Sequence, residues 1–144
     1  MDETELILER DGPVATITLN RPQRTNKLTD PVLTALGAHI SEQQDEGTTR
    51  AVVLKSVGDV FCDGFDVGAK KPGVPGKKRT RSDFAAHAAL VSDTLWRIWR
   101  SPLPVVAVVQ GRCLGGAVYL TAVCDFIVTT PTAQIGMSEL KLGM

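Results

Sequence analysis

The chain has 144 residues, 43% of them hydrophobic, which is enough for one domain with a real core spanning residues 1–144 and gives no sign of a second. Sixteen Lys and Arg balance sixteen Asp and Glu, so the formal net charge is zero, and with a sequence pI near 6.7 nucleic acid is a poor partner. No apolar run approaches the roughly 18 residues of a membrane span, and the acidic start lacks the basic and apolar regions of a secretory signal, so no membrane partner and a cytoplasmic location are expected. Cys62, Cys113 and Cys124 show no close pair spacing and read as reduced thiols, mostly buried, rather than a disulfide framework or a zinc site. His39 and His87 sit apart without acidic or thiol neighbours at ligand spacing, so no metal is expected.

In chain order, Glu5 to Glu9 and Val14 to Asn20 are rich in β-branched residues and flank Asp11-Gly12-Pro13, which predicts a hairpin. Thr29 caps a helix with Pro31 in its first turn, and Leu33, Leu36 and Ile40 recur at helical spacing until Gly47. Ala51 to Lys55 is a short apolar strand broken by Gly58, and a long loop follows. Ser82 or Asp83 starts a second helix whose Phe84, Val91, Leu95 and Ile98 fall near one face, ended by Pro102 and Pro104. Pro104 to Val109 is apolar throughout, as in a strand covered on both faces. Gly111 to Gly116 then turns the chain into a short helix ending near Cys124, and Phe126 to Val128 and Ala133 to Gly136 are further strands. Strands and helices alternate, so the class is α/β, built on a ββα unit that recurs.

Phosphate-loop and nucleophile-elbow patterns are absent: no GxGxxG follows a strand, Gly73 to Lys78 lacks Walker spacing, and there is no GxSxG. Glycine stands instead at two loop-to-helix junctions, Gly64 before Phe65-Asp66 and Gly115-Gly116 before Ala117. Backbone N–H groups at a helix start carry partial positive charge, and glycine admits a ligand close to them. Each junction alone reads more readily as a turn or a tight helix contact than as a ligand site. Brought together, the two would form an oxyanion hole without any charged side chain.

The run Arg21-Pro22-Gln23-Arg24-Thr25-Asn26-Lys27-Leu28 resembles the RPxxxNAL signature of the enoyl-CoA hydratase/isomerase, or crotonase, family. Phe61-Cys62-Asp63-Gly64-Phe65-Asp66-Val67 is similar to its FxxGxDL loop, and Gln110-Gly111-Arg112-Cys113-Leu114-Gly115-Gly116-Ala117 to its NGxxxGGG turn. Cys124-Asp125, Ala133-Gln134-Ile135-Gly136 and Ser138-Glu139 continue the match in order. The resemblance implies a β/α spiral of repeated ββα turns, assembled as a homotrimer or hexamer. It also implies that residues follow Met144, so that C-terminal covering and trimerisation helices are missing from this chain.

By resemblance, the backbone N–H groups of Phe65 and Gly116 are the oxyanion donors. Asn26, Lys27 and Leu28, with Cys62, Asp63, Gly64, Asp66 and the glycine turn at Gly115, contact the substrate, a coenzyme A thioester that needs no separate cofactor. Glu139 falls where many members carry a catalytic glutamate, able to take an α-proton if an apolar pocket lifts its pKa. Tyr119 replaces the second glutamate of the hydratases; tyrosine donates a hydrogen bond but is a poor base at neutral pH, so isomerase chemistry is favoured over hydration. A non-catalytic crotonase-like protein that binds a CoA thioester or a partner is the alternative. Asp66 reads as a helix cap, Asp125 as a structural bond beside Cys124, and Asp63 as an unusual carboxylate where a small residue is common. The Lys70 to Arg81 stretch, rich in Lys, Arg, Gly and Pro, reads as a solvated lid or as a contact for coenzyme A phosphates.

Overall fold

In the computed structural model, residues 5–66, 80–137 and 140 are described. The opening hairpin joins β1 (Leu6–Asp11) and β2 (Val14–Leu19) antiparallel, with Leu8 opposite Ile17 and Asp11 opposite Val14. Ala15, Ile17 and Leu19, the apolar side that the period-two pattern predicts for β2, are buried. At the start of α1 (Asp30–Asp45) the Thr29 hydroxyl accepts from the Val32 N–H, and Pro31 occupies the first turn. Val32, Leu33, Leu36 and Ile40 form its buried stripe. Burial of each such side chain contributes about 1.5–3 kcal/mol.

β3 (Ala51–Ser56) lies parallel to β2, β4 (Val105–Val109) parallel to β3, and β6 (Phe126–Thr129) parallel to β4, so the main sheet runs in the order β1-β2-β3-β4-β6. The crossover from β3 to β4 contains α2 (Arg81–Trp99). This helix begins slightly earlier than the sequence suggests. Thr80 and Asp83 form a reciprocal capping box, in which the Thr80 hydroxyl accepts from the Asp83 N–H at 3.1 Å and the Asp83 carboxylate accepts from the Thr80 N–H at 2.7 Å. α2 packs on α1, where the buried Thr94 hydroxyl donates to the Leu33 carbonyl. Asp125 has the structural role expected of it: its carboxylate accepts from the Val105 N–H at 2.8 Å, and its own N–H donates to the Val105 carbonyl at 2.9 Å.

A second row of extended segments lies beside the main sheet, and the chain enters it after every main-sheet strand except β1. Following β4, Gly111 turns with φ 56°, and a Cβ there would stand 1.9 Å from the Asp59 carbonyl oxygen, so only glycine passes. Next comes β5 (Arg112–Leu114), which pairs parallel with β7 (Gln134–Gly136). From sequence alone Gly111 to Gly116 is a plain turn, because three residues between glycines carry no period. The row continues through single bridges, Cys62 with Cys113 and Leu28 with Phe65. β2, β3, β4 and β6 are thus each followed by a segment of the second row, which is the recurring spiral turn. The seven-residue α3 (Gly116–Ala122) follows β5 directly.

Among the described residues no helix is long and apolar enough to cross a membrane. Large apolar side chains are nonetheless open to solvent: Phe126, Ile127 and Val128 of β6 are 64%, 44% and 56% exposed, and Trp96 and Trp99 of α2 are 53% and 63% exposed. Surfaces of this kind associate. The 144-residue chain is therefore expected to self-associate, with a weight-average mass in sedimentation equilibrium that rises with concentration. A concentration-independent monomer would contradict this.

Candidate active site

Most of the described residues singled out in the sequence gather where the second row meets α3. Asn26 comes first because its neighbours depend on it. Thr25 and Asn26 both adopt left-handed backbone, at φ 49° and 53°, a conformation that costs a β-branched residue about 1–2 kcal/mol. The Asn26 side chain holds them there: its amide donates to the carbonyls of Val57 at 2.9 Å and Val60 at 2.8 Å, and its oxygen accepts from the Arg21 N–H at 2.8 Å. With the residue 1% exposed, all of this polarity is spent inside the protein. Gln110 does similar work across the next gap, donating to the Ser56 and Gly58 carbonyls at 3.1 and 2.9 Å.

Leu28 then pairs with the loop after β3. Its N–H donates to the Gly64 carbonyl at 2.9 Å, and its carbonyl accepts from the Asp66 N–H at 2.8 Å. In an extended segment the backbone groups of successive residues alternate in direction, so the N–H of Phe65, between these two bonds, turns to the other side. There lie Gly115 and Gly116. A Cβ on Gly64, at φ 89°, would stand 2.8 Å from the Leu114 carbonyl oxygen and 3.1 Å from the Gly116 nitrogen. A Cβ on Gly116 would stand 2.5 Å from the Phe65 ring. The two glycine junctions therefore converge, which spacing alone left open. Among the described residues neither the Phe65 N–H nor the Gly116 N–H donates to a protein acceptor.

Charged groups surround this junction. Asp63 accepts two parallel hydrogen bonds from Arg112, Nε to Oδ1 at 2.9 Å and the terminal nitrogen to Oδ2 at 2.8 Å. The guanidinium holds the Asp63 carboxyl below its ordinary pKa, and the carboxylate raises that of Arg112 in return. Asp66 faces Arg21 and Arg24 at 3.7 and 3.8 Å, and the Lys27 carbonyl accepts from the Arg21 guanidinium. Tyr119, on α3, is 42% exposed rather than packed in the core. Burial pushes the thiols of Cys62 and Cys124 up to about 12 and raises that of Cys113, so these cysteines are packing residues and poor nucleophiles. Among the described residues no cluster of His, Cys, Asp and Glu is suited to a metal ion. Glu139 and residues 67–79, with most of the basic stretch, lie outside the described residues.

Two contacts escaped the sequence reading. The His87 imidazole stands edge-on to the Phe65 ring at 5.1 Å and bonds through Nδ1 to Asp30 Oδ1 at 2.6 Å, although 57 positions separate the pair. Only the packing of α2 on α1 unites them, and no local signal announces it. The other is Arg112, for which a signal existed: a carboxylate at Asp63 where a small residue is usual calls for a cation in the segment beside it.

The spiral, the converging glycine turns and the order of the motifs agree with comparison to known proteins. A family model described as enoyl-CoA hydratase/isomerase matches residues 9–144, and the chain belongs to that family. An enoyl-CoA hydratase structure from Mycobacterium smegmatis is 34% identical with a TM-score of 0.89, covering 99% of this chain and 54% of that one. An enoyl-CoA hydratase/isomerase structure from Xanthobacter autotrophicus Py2 is also 34% identical, with a TM-score of 0.86 and coverage of 97% and 51%. Among curated proteins, an ethylmalonyl-CoA decarboxylase of Homo sapiens is 29% identical over 136 residues, covering 94% of this chain and 43% of that protein. The chain thus spans about half the length of the relatives it matches.

Removing the Asn26 amide strips a donor from two carbonyls and an acceptor from the Arg21 N–H. Asn26→Ala is expected to lower the unfolding free energy by about 3 kcal/mol in urea titration, far more than a surface substitution. A loss below about 1 kcal/mol would mean that water replaces these bonds without cost.

Proposed function

We propose that this chain binds an acyl-coenzyme A thioester and stabilises its enolate between the backbone N–H groups of Phe65 and Gly116. The observation that carries the reading is the junction itself: two glycine-bearing turns pressed together, each with an N–H that has no protein acceptor among the described residues. A thioester carbonyl seated there accepts two hydrogen bonds. When the α-carbon loses its proton, the electron pair moves onto that oxygen, where neutral preorganised donors meet the new charge. Removing one donor of this type costs about 3 kcal/mol of transition-state stabilisation.

Glu139 is the base in this reading, by its place in the motif order. Its carboxylate takes the α-proton and returns it to the γ-carbon, which converts a 3-enoyl thioester into a 2-enoyl thioester with no net change in protons. Hydration needs a second group to activate water while the α-carbon is protonated, and Tyr119 stands where the hydratases carry that second glutamate. Isomerisation is therefore the favoured reaction. Coenzyme A is part of the substrate and no separate cofactor takes part. The protein works as a trimer or a pair of trimers in the cytoplasm. Tyr119 also favours a second reading, a non-catalytic protein that binds acyl-CoA.

Calorimetry with a non-reactive acyl-CoA analogue is expected to show tighter binding than free coenzyme A, because the donors address the thioester oxygen. Equal affinities would remove the assignment of Phe65 and Gly116. In protein from the complete natural reading frame, isomerisation of a 3-enoyl-CoA is expected to exceed hydration of a 2-enoyl-CoA. Glu139→Gln should cut turnover about 100-fold or more and Tyr119→Phe about tenfold or less. Hydratase activity that survives Glu139→Gln would sink the mechanism, and an inactive wild type that still binds acyl-CoA would establish the second reading.

A further inference from the structure

The glycines that let the two donor segments meet also place a residue without a side chain directly before each donor. Gly64 and Gly115 adopt φ 89° and 55°, and each immediately precedes a donor residue. Backbone hydrogen bonds join the segments only behind that point: Cys62 N–H donates to the Arg112 carbonyl and Leu114 N–H to the Cys62 carbonyl, both at 3.0 Å. Beyond Leu114, among the described residues, no backbone bond links them; Gly115 N–H turns away to the Gly136 carbonyl. A pair of side chains fastens the bonded stretch just before that point. Asp63, two residues before Phe65, is gripped by Arg112, four residues before Gly116.

We propose that the Asp63–Arg112 ion pair is a positioning clamp that sets the separation of the Phe65 and Gly116 N–H groups, and with it the polarisation of a thioester carbonyl held between them. The inference rests on the oxyanion reading above. An exposed single-contact ion pair holds little. This one has the forked geometry, two parallel charge-assisted bonds that fix angle as well as distance. The Asp63 side chain is 17% exposed, and its own N–H is tied to the Thr25 carbonyl at 3.0 Å, so the carboxylate end of the clamp is anchored to a third segment. A misplacement of about 1 Å in a group that stabilises developing charge is enough to cost on the order of 100-fold in rate. Asp63 and Arg112 act through the two backbone donors and are positioning residues.

The test uses protein from the complete natural reading frame and a cinnamoyl-CoA probe, whose conjugated carbonyl absorbs further to the red when its oxygen is hydrogen-bonded more strongly. Arg112→Lys keeps the charge but loses the fork; Asp63→Asn keeps the shape but loses the charge. Both are expected to lose most of the probe's red shift and to lower kcat about 10- to 100-fold, a larger change than either makes in KM or in the Kd of the probe. Their thermal midpoints should stay within a few degrees of wild type. If either variant fails to fold, Asp63→Glu, which keeps the pair but lengthens one arm, gives the same readout and should again lose red shift. A full red shift in the variants overturns the clamp and leaves the oxyanion reading intact. So does a loss that merely tracks a falling melting temperature. If wild-type protein shows no red shift, the oxyanion reading fails and the clamp falls with it.

Discussion

No Cβ fits on Gly64 or Gly116, where the loop after β3 meets the turn before α3, and the surrounding segments are arranged around that lack of room. Gly64 lies against the Leu114 carbonyl and the Gly116 nitrogen, while the Phe65 ring covers the face of Gly116 where a Cβ would be. Backbones that approach this closely turn their amides into neighbours. Everything nearby serves to hold that approach: the Leu28 bridge on one side, β5 on the other, and the Phe65 ring wedged between Gly116 and His87.

Polar side chains do the holding, Asn26 from a buried position and Gln110 from a partly buried one. Asn26 and Gln110 are drawn from the stretches that most resemble the family signatures, and both tie carbonyls of the loop after β3. Their work is architectural, since it fixes where Gly64 and Phe65 lie. Asp125 does the same at the edge of the sheet, joining the start of β4 to the start of β6. The buried cysteines contribute packing alone, because an apolar surrounding keeps a thiol protonated.

Much of this was legible in the residues. The hairpin, both long helices and the apolar β4 follow from period and from turn chemistry, and membership of the family follows from ordered motifs. β5 was not legible, since Arg112 to Leu114 become a strand only through partners at Cys62 and β7. The start of α2 was misplaced by a residue or two because Thr80 and Asp83 compete with Ser82 as caps, and the reciprocal bonds decide the matter. Convergence of the glycine turns, the His87–Asp30 contact and the Asp63–Arg112 fork are products of the folded path. Sequence can present two charges, but it cannot bring them within 3 Å.

In the function proposed above the donors at this junction belong to the main chain, and that changes which positions evolution is free to alter. A hydroxyl or amide side chain that stabilises charge is erased by a single substitution. An N–H of the main chain survives every replacement at its own residue except proline, so residue 65 is held only by the packing of its ring against Gly116 and His87. The constraint passes to its neighbours: Gly64 by its φ of 89° and its contact with Leu114, and Gly115 by its φ of 55°. The strictest constraint at this junction therefore falls on glycines, which have no side chain to do chemistry, and one of them, Gly116, is itself a donor residue in that reading.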